Sequence, residues 1–440
     1  MPSPYHKIPI DRGFNVRPYL ELLRLIKEFG NLSKTEIAIF FVQITHYNKF
    51  ENIVAAIKKF RLDSKNHKGN RKAFIEERFT DEIKRVYSNE IKSNKLKTRE
   101  SQDITLSKFI KTKRSNHIDY ADAFIRYLRS TQYISYDKNL RLIISPSRFE
   151  EVEFVLKTVD RTAISFKSEK QFKEYLFSIS SLELLTDNRK YLEKRLTEVS
   201  IKFNKNDSID NLKNLLEESE LGIISEVIKQ EELSLKGYKE FDSIVDIFDK
   251  IAKKDVPDPP LYLEWNVWRS LVMINYAKRI TGNFSYDLDG VPLSAAKGNL
   301  PDIEIDYNSF KMIVEVTTSS GNTQFNMEGE SVPRHCGNLQ KISDTPVYCL
   351  FIAPKISEGA LAHFFNLNRL NTKAYGGKTR IIPLSMSEFI SFITTAKEKK
   401  FRDSKSLMSY MDSLIQKNQV VEDESIWYQE IQTSLSAWVN

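Results

Sequence analysis

The sequence predicts a multidomain α+β protein, with helical and winged-helix domains at the N-terminus and an α/β layered domain at the C-terminus. Its 440 residues are too many for a single ordinary hydrophobic core. Apolar residues recur mainly at helical spacing in the N-terminal part, whereas predicted strands and helices alternate after residue 300. Three closely spaced prolines, Pro257, Pro259 and Pro260, break regular structure and mark the start of the C-terminal domain, residues 251–440.

Residues 1–95 carry three helical patterns. The first ends at Gly30, a natural helix C-cap. Ser33 and Glu36 then have the spacing of a capping box at the start of a second helix, and a third, basic helix begins near Asn52. Three short helices in this order predict a helix-turn-helix-like subdomain that recognises DNA, although many small helical domains share the pattern.

Residues 96–167 run from helices into a β-hairpin. Two helical stretches are followed by two β-rich segments, 133–137 and 140–145, joined by a short polar turn. This order predicts a winged helix, in which a recognition helix precedes a two-stranded wing; the alternative is an ordinary helical domain with a hairpin. The basic side chains expected to contact DNA phosphates lie on the helix and the wing: Arg126, Arg129, Lys138 and Arg141.

The positive charge of the chain is concentrated at its N-terminal end. The formal net charge is +7, but residues 1–150 alone contain 30 Lys and Arg against 17 Asp and Glu, which leaves 36 against 42 for the remainder. A basic N-terminal part predicts double-stranded DNA as a partner, because each neutralised phosphate releases counterions. The alternative is that lysine-rich helices simply favour solubility. Residues 168–250 are charged and helical without a catalytic pattern, so they are predicted to form a spacer domain.

Composition argues against several classes of protein. Two cysteines, Cys336 and Cys349, allow no disulfide framework and no cysteine-rich zinc site. The chain starts without a signal-peptide layout and has no apolar run of about 20 residues, so a cytoplasmic protein without membrane segments is expected. A phosphate-binding P-loop is disfavoured, since Thr372 stands where the first glycine is required before the Gly-Lys-Thr triplet at 377–379.

The segment PDIEIDYNSFKMIVEVT, residues 301–317, predicts a β-hairpin with two acidic side chains face to face. A two-residue turn at Asn308 and Ser309 places Asp302 directly opposite Glu315. Alternation along the strands then gives one apolar and one polar face. The apolar face holds Ile303, Ile305, Met312, Val314 and Val316, and the polar face holds Asp302, Glu304, Glu315 and Thr317.

Directly opposed carboxylates repel one another, and a divalent cation with oxygen ligands would offset this repulsion. Mg²⁺ fits, because it binds one or two carboxylates and leaves room for water and a phosphate oxygen, as phosphodiester hydrolysis requires. The backbone carbonyl of Val316 could supply a further ligand. The alternative on spacing alone is a protonated or solvent-facing carboxyl group.

Two further regions carry acidic or titratable side chains. Glu264 lies on the apolar stripe of a predicted helix, where a carboxylate is costly unless it is paired or bound to metal. Taken singly, such a glutamate and a lone histidine are more often structural residues. Downstream, 324–341 is predicted as a polar loop that offers further carboxylates, an imidazole and cations for phosphate: Gln324, Glu328, Glu330, Arg334, His335 and Lys341.

Together these motifs resemble the catalytic domain of the AlwI-type restriction endonucleases, a group that includes the PleI, MlyI and BstNBI enzymes. The resemblance covers about residues 255–395 and is carried by Glu264 in a helix, Pro301-Asp302, Glu315-Val316-Thr317, Glu328 and Val332-Pro333-Arg334-His335. It implies a variant PD-(D/E)xK nuclease fold of α/β/α layers, with threonine in place of the usual motif lysine. It also implies catalytic roles for Glu264, Asp302, Glu315, Glu328 and His335, with Asp302, Glu315 and the Val316 carbonyl as metal ligands.

The resemblance further implies a type IIS enzyme that binds a short asymmetric DNA sequence and uses Mg²⁺ to cut a few bases outside it. A transient homodimer or a small catalytic subunit would supply the active site for the second strand, and a cognate DNA methyltransferase would belong to the same system. The alternatives are a strand-specific nicking enzyme, the large subunit of a heterodimeric enzyme, a repair nuclease of the same fold, and a winged-helix regulator with a non-catalytic C-terminal domain. His335 and Lys341 are the candidates for the work of the absent lysine.

Overall fold

The computed structural model describes residues 16–162, 166, 168–178, 184–274 and 276–439. Two compact units are present, Met1–Gly222 and Ile223–Asn440. Helices predominate and a mixed sheet lies in the second unit, which confirms the α+β class. None of the helices within the described ranges is long and apolar enough to cross a membrane. Residues 1–15, on which the expectation about a signal peptide rests, lie outside the described residues.

The first unit consists of helices and a small hairpin in its described part. Its helices are α1 (Pro18–Phe29), α2 (Lys34–Ile39), α3 (Phe50–Asn66), α4 (Arg71–Val86), α5 (Ser88–Lys92), α6 (Leu106–Arg129), α7 (Phe149–Thr158), α8 (Glu169–Phe177), α9 (Arg189–Glu198) and α10 (Ile209–Leu235), which continues into the second unit. Strands β1 (Ile134–Tyr136) and β2 (Leu142–Ile144) pair antiparallel, as the two β-rich segments predict.

The start of α2 follows from its sequence. Ser33 Oγ accepts the N–H of Glu36 at 3.1 Å, and Glu36 Oε2 accepts the N–H of Ser33 at 2.8 Å, which forms the predicted capping box. Just before it, Gly30 ends α1 with a φ of +73°, which glycine adopts without steric cost. Both local predictions are confirmed.

One long helix, α6, replaces the two helical stretches predicted before the hairpin. Thr105 Oγ1 caps its start by accepting the N–H of Lys108 at 3.3 Å, and no Gly or Pro interrupts residues 106–129. Buried side chains of α6 join those of α1, α2, α3, α4, α7 and the hairpin in one hydrophobic core. Elements on both sides of residue 95, where a subdomain boundary is predicted, therefore share a core.

The second unit is built around a five-stranded sheet. Its helices are α11 (Phe241–Ala252), α12 (Pro259–Ile274), α13 (Gly321–Ile342), α14 (Glu358–Arg369), α15 (Met386–Glu398), α16 (Ser404–Val420) and α17 (Glu424–Ser434). Its strands are β3 (Arg279–Gly282), β4 (Ser285–Tyr286), β5 (Pro292–Ser294), β6 (Ile303–Asp306), β7 (Lys311–Val316), β8 (Val347–Ala353) and β9 (Ile381–Ser385). The sheet order is β3-β6-β7-β8-β9; the first two pairings are antiparallel and the last two parallel, while β4 and β5 form a separate hairpin.

The hairpin of β6 and β7 has the predicted register. Ile303 pairs with Val314, and the remaining pairs follow in step around a tight turn. Asn308 in this turn has a φ of +65°, a left-handed conformation that asparagine tolerates better than most residues. Extending the register by one residue places Asp302 opposite Glu315.

Helices cover both faces of the sheet. The neighbouring residues Met312 and Ile313 of β7 point to opposite faces, yet both are fully buried. Helices α13 and α14 contact one another and pack on β8 and β9, while α12 and α15 contact one another and pack on β7 and β9. The second unit is therefore a layered α/β structure, in which the central strands meet apolar neighbours on both sides.

The carboxylate of Glu36 joins three parts of the first unit. Its side chain is 3% exposed and receives a 2.6 Å hydrogen bond from Arg61 of α3 and another from Arg141 beside β2. Burial alone would raise the pKa of Glu36, but hydrogen bonds from Arg61 and Ser33 and the charge of Arg141 outweigh burial and lower this pKa. The ionised form of Glu36 is therefore favoured by folding.

We expect Glu36→Gln to lower the free energy of unfolding by about 3 kcal/mol at pH 7, because two guanidinium groups lose a buried charged partner. Since the folded-state pKa is lowered, this contribution is present above the unfolded pKa of about 4.3 and disappears as the pH falls through the folded-state value. The difference between variant and wild type should shrink accordingly in urea unfolding at acid pH. Glu28→Gln, which breaks the exposed 2.9 Å pair with Lys58, is the control and should cost less than about 0.5 kcal/mol. Equal losses in both variants would contradict this role of Glu36.

Candidate functional site

Two acidic side chains meet where β6 begins and β7 ends. Asp302 directly precedes β6, and its Oδ2 accepts the N–H of Val316 at 2.7 Å. Glu315 lies on β7, one residue before Val316, and is only 6% exposed. The hairpin therefore holds both carboxyl groups at the same end of the sheet, where β6 begins and β7 ends.

The environment of this pair favours the protonated forms. Burial raises the pKa of Asp302 and the pKa of Glu315 well above the ordinary values. The charge of Glu315 adds to the rise for Asp302, and the charges of Glu328 and Glu264 add to the rise for Glu315. Positive charge brought to this site would favour the ionised form of both groups.

Glu264 brings a third carboxyl group from α12. It is 7% exposed, and its Oε2 accepts the N–H of Ala296 at 3.1 Å. Burial, followed by the charge of Asp302, raises the pKa of Glu264 to about 8. Pro259 and Pro260 occupy the first turn of α12, where a missing N–H costs nothing, and so begin the helix that carries this glutamate.

The polar stretch predicted as a loop is a helix, α13, and the loop prediction was wrong because of its proline. Pro333 has no N–H to offer the carbonyl of Gly329, four residues earlier. That carbonyl bonds instead to Nε2 of His363 on α14, at 2.8 Å. The apolar side of α13 packs into the core through Val332 and Cys336. The helix continues through the proline because a neighbouring helix satisfies the freed carbonyl.

Helix α13 places His335 against Glu315. Nδ1 of His335 lies 2.7 Å from Oε1 of Glu315, and both side chains are buried. Nε2 is also buried and has no hydrogen-bond partner among the described residues. Burial and the charge of Arg334 lower the pKa of His335, against the opposite effect of Glu330 and Glu328. The imidazole is therefore neutral at pH 7, and when Nδ1–H donates to Glu315, Nε2 keeps a free lone pair.

Glu328 lies seven residues before His335, about two helical turns along α13. It is half-buried, and its Oε2 accepts the hydroxyl of Ser331 at 3.2 Å. Its charge contributes to the raised pKa of Asp302 and of Glu315. The structure thus brings together in one cluster all five side chains to which the sequence resemblance gives catalytic roles: Glu264, Asp302, Glu315, Glu328 and His335.

For a metal ion, this cluster offers a carboxylate pair and not a complete set of side-chain ligands. Within the part of the chain that the structure describes, no group of three or more His, Cys, Asp or Glu side chains stands close enough to hold an ion. Asp302 and Glu315 nevertheless fit a divalent cation, because bringing positive charge to two desolvated carboxyl groups offsets the effects that raise their pKa values.

A buried threonine stands where the usual motif lysine would be. Oγ1 of Thr317 lies 2.7 Å from Oγ of Ser319, so the hydroxyl is held in the turn that follows β7.

Lys341 is one candidate to replace the motif lysine. It is exposed and packs beside Gly376, nearly two helical turns beyond His335 on α13.

Arg334 is a cation that belongs to this centre. It precedes His335 on α13, and its charge lowers the pKa of Glu315 against the larger effects that raise it. Its Nη1 donates to Oδ1 of Asn299 at 3.1 Å, in the loop three residues before Asp302, and its Nε forms a 2.9 Å ion pair with Glu330 one turn earlier on α13. Sequence reasoning identified Arg334 only as a cation for phosphate, because Asn299 carries no motif and lies 35 residues away in the chain.

Of the four basic residues predicted to contact DNA, two are exposed and two are engaged inside the first unit. Arg126 and Lys138 are exposed. Arg129 is 6% exposed, and its Nη1 donates to a backbone carbonyl of β1 at 3.1 Å. Arg141 donates to Glu36, as described above. The guanidinium groups of Arg129 and Arg141 thus already bind acceptors within the fold, and phosphate contacts by these two residues stay a prediction.

Comparison with known proteins adds a family and a solved structure. The family model described as AlwI restriction endonuclease matches residues 4–392 of the chain. Among solved structures, the small subunit (R.BspD6I2) of the heterodimeric restriction endonuclease R.BspD6I is similar at 23% sequence identity, over 45% of this chain and 100% of that chain, with a TM-score of 0.38. No curated protein matches the chain.

Neutralising one carboxyl group of the Asp302–Glu315 pair should stabilise the second unit. We expect Asp302→Asn to raise the melting temperature by about 2 to 6 °C at pH 8 in EDTA, because one desolvated, repelled carboxylate is removed. Since the folded-state pKa is raised, the wild type loses stability as the pH rises from the unfolded pKa of about 3.9 towards the folded-state value, and the variant does not. The gain should therefore be larger at pH 8 than at pH 5.

Differential scanning calorimetry at both pH values measures this effect. Glu398→Gln, which removes an exposed charge at the end of α15, serves as the control and should leave the melting temperature nearly unchanged. A lower melting temperature for Asp302→Asn at pH 8, or a gain that does not depend on pH, would contradict the repulsion inferred for the pair.

Proposed function

The chain belongs to the AlwI restriction endonuclease family, which makes it a site-specific deoxyribonuclease, and on this premise we propose that it is a type IIS enzyme that requires Mg²⁺. It binds a short asymmetric sequence of double-stranded DNA through its N-terminal part. It hydrolyses phosphodiester bonds a few bases outside that sequence through its C-terminal domain, which has a PD-(D/E)xK-type fold.

The observation that carries this proposal is the pair of the half-buried Asp302 and the buried Glu315, together with the 2.7 Å contact between Glu315 and His335. Two desolvated carboxyl groups that repel one another cost stability. Clusters with strongly shifted pKa values are typical of sites where a cation and a substrate offset that cost. A C-terminal domain that only dimerised a DNA-binding regulator would have no use for this arrangement.

The metal would be held by oxygen atoms of β7 and of the residue before β6. Asp302, Glu315 and the backbone carbonyl of Val316 provide the hard oxygen donors that Mg²⁺ prefers. When bound, the ion lowers the pKa of a coordinated water and polarises the phosphoryl group. Glu264 and Glu328 act as supporting acids around the pair.

Side chains of α13 would accept the proton of the attacking water and supply positive charge to the phosphate. The contact with Glu315 orients His335, so that its Nε2 can take a proton from the attacking water. The lowered pKa of His335 keeps the ring neutral and able to accept this proton at pH 7. Arg334 supplies positive charge for the phosphate that is attacked, which is part of the work of the motif lysine in related sites.

Sequence recognition is assigned to the basic N-terminal part. Helix α6 would serve as a recognition helix and the β1–β2 hairpin as a wing, with the exposed Arg126 and Lys138 contacting phosphates. The proposed order is a helix-turn-helix-like subdomain (1–95), a winged-helix subdomain (96–167), a helical spacer (168–250) and the nuclease domain (251–440).

Cleavage of both strands requires two catalytic centres. We propose that the second is supplied by a transient homodimer or by a small catalytic subunit, and that the chain nicks one strand when it acts alone. A cognate DNA methyltransferase would complete the restriction system.

Plasmid DNA incubated with the protein and Mg²⁺ should give discrete fragments or a discrete nick. Asp302→Asn and Glu315→Gln should each slow cleavage by at least about 100-fold, because each removes charge from the site of the metal and the transition state. Both variants should still bind duplex DNA in EDTA, and Glu398→Gln should cleave at the wild-type rate. Plasmids of many sequences left intact, or full activity in both pair variants, would refute the proposed function.

Arg334→Gln and Lys341→Gln form a matched pair of charge removals on α13. We expect the Arg334 variant to cleave plasmid about 10- to 100-fold more slowly, with duplex binding in EDTA little changed, because its charge acts on the reacting phosphate. The Lys341 variant should cleave at nearly the wild-type rate. Arg334→Lys, which keeps the charge, should recover part of the lost rate. A slow Lys341→Gln enzyme beside a normal Arg334→Gln enzyme would assign the role to Lys341 instead.

A further inference from the structure

We propose that residues 92–99, from the last residue of α5 into the connection that leads to α6, form a second contact with the phosphate backbone of duplex DNA, in addition to Arg126 and Lys138. This inference rests on the proposed function, since it concerns the DNA that the enzyme binds. It assigns a binding role to a segment in which no sequence motif or predicted site residue lies.

The segment carries four cations in eight residues. Lys92, Lys95, Lys97 and Arg99 are all exposed, and within the described residues none of them forms an ion pair. Exposed cations elsewhere in the first unit often have carboxylate partners, as Lys58 has in Glu28 at 2.9 Å. The positive charge of residues 92–99 therefore remains available to a polyanion.

Two buried side chains fix this segment to the first unit. Leu96 and Thr98 are each 8% exposed and alternate with the exposed Lys95, Lys97 and Arg99. Such alternation is that of an extended chain, in which two residues advance about 6.6 Å. The three cations therefore form a row that the buried side chains of Leu96 and Thr98 hold in place. Because phosphates of one DNA strand repeat every ~3.4 Å along the helix axis, cations at this spacing can bind different phosphates of the same strand.

One end of the row lies beside a face of α6 that carries exposed tyrosines. Glu100, next to Arg99, accepts a hydrogen bond from Nδ2 of Asn116 at 3.3 Å, which places the end of the row at the middle of α6. One turn further along the helix, Tyr120 is 56% exposed, and Tyr127 two turns beyond it is 66% exposed. Exposed tyrosines on the same helix face as Asn116 can contact sugar and phosphate groups through their hydroxyls.

A second basic cluster in the same unit lacks these features. Lys65, Lys68, Arg71 and Lys72 surround the connection between α3 and α4, and every residue from 65 to 73 is exposed. Lys65 lies near the end of α3, Arg71 and Lys72 begin α4, and Lys68 lies between the two helices. These cations therefore do not alternate with buried residues along one extended segment. The cluster has the same charge as the proposed contact without its alternating row, and it provides a control.

The experiment compares two triple variants with the wild type: Lys95→Gln/Lys97→Gln/Arg99→Gln, and Lys65→Gln/Lys68→Gln/Arg71→Gln. Binding to a fluorescent random-sequence duplex is measured by anisotropy in EDTA, which prevents cleavage, over a range of KCl concentrations. The first variant should bind roughly 10-fold or more weakly, and its slope of log K against log salt should fall by about 2 to 3, since three phosphate contacts are lost. The second variant should lose less than about one unit of slope. Unchanged circular dichroism establishes that both variants are folded.

Equal weakening of both variants would overturn the proposal, because it would mean that only the overall charge matters. Binding of the first variant at the wild-type affinity would also overturn it. If the wild type itself binds no duplex, both the proposed function and this proposal are wrong. The wild-type measurement alone separates that result from failure of the proposed contact, in which the wild type still binds. Selective weakening of the first variant supports residues 92–99 as a DNA contact.

Discussion

The register of the β6–β7 hairpin is the constraint on which the second unit depends. It places Asp302 beside Glu315 at one end of a sheet whose central strands are covered on both faces, where each carboxyl group loses hydration and meets the charge of the other. Shifting one of the two strands by one residue would turn its acid to the other face and carry an apolar side chain to the site. The apolar residues that fix the register therefore also fix the position of the acids.

The parts of the fold that could be predicted from the sequence are those set by local rules. The capping box at Ser33 and the hairpin turn at Asn308 each depend on a few consecutive residues, and both are confirmed. The clustering of Glu264 with the hairpin acids was suggested by motifs, but its geometry depends on how α12 packs. The hydrogen bonds of Arg129 and Arg141 to acceptors within the first unit could not be predicted. The sequence pattern of a helix or a hairpin does not reveal which guanidinium groups find acceptors inside the fold.

The hairpin of the first unit is tied to the helices by more than apolar contacts. Leu32 and Leu142 exchange backbone hydrogen bonds at 2.9 and 2.8 Å, which extends the hairpin by a bridge to the segment before α2. Arg141 then bonds to Glu36 at the start of that helix. A hairpin anchored at these points holds Lys138 at a fixed place relative to α6, so that a nucleic acid meeting both elements would need little rearrangement of the protein.

The carbonyl of Gly329 couples two distant positions of the chain. Pro333 removes its helical partner, and His363 replaces that partner from the neighbouring helix. If Pro333 were exchanged for a residue with an N–H, the new amide would compete with the imidazole for one acceptor. If His363 were lost alone, the half-buried carbonyl of Gly329 would lose its partner within the protein. Among relatives that keep this helix, the two positions should therefore covary, so that proline and histidine are kept together or lost together.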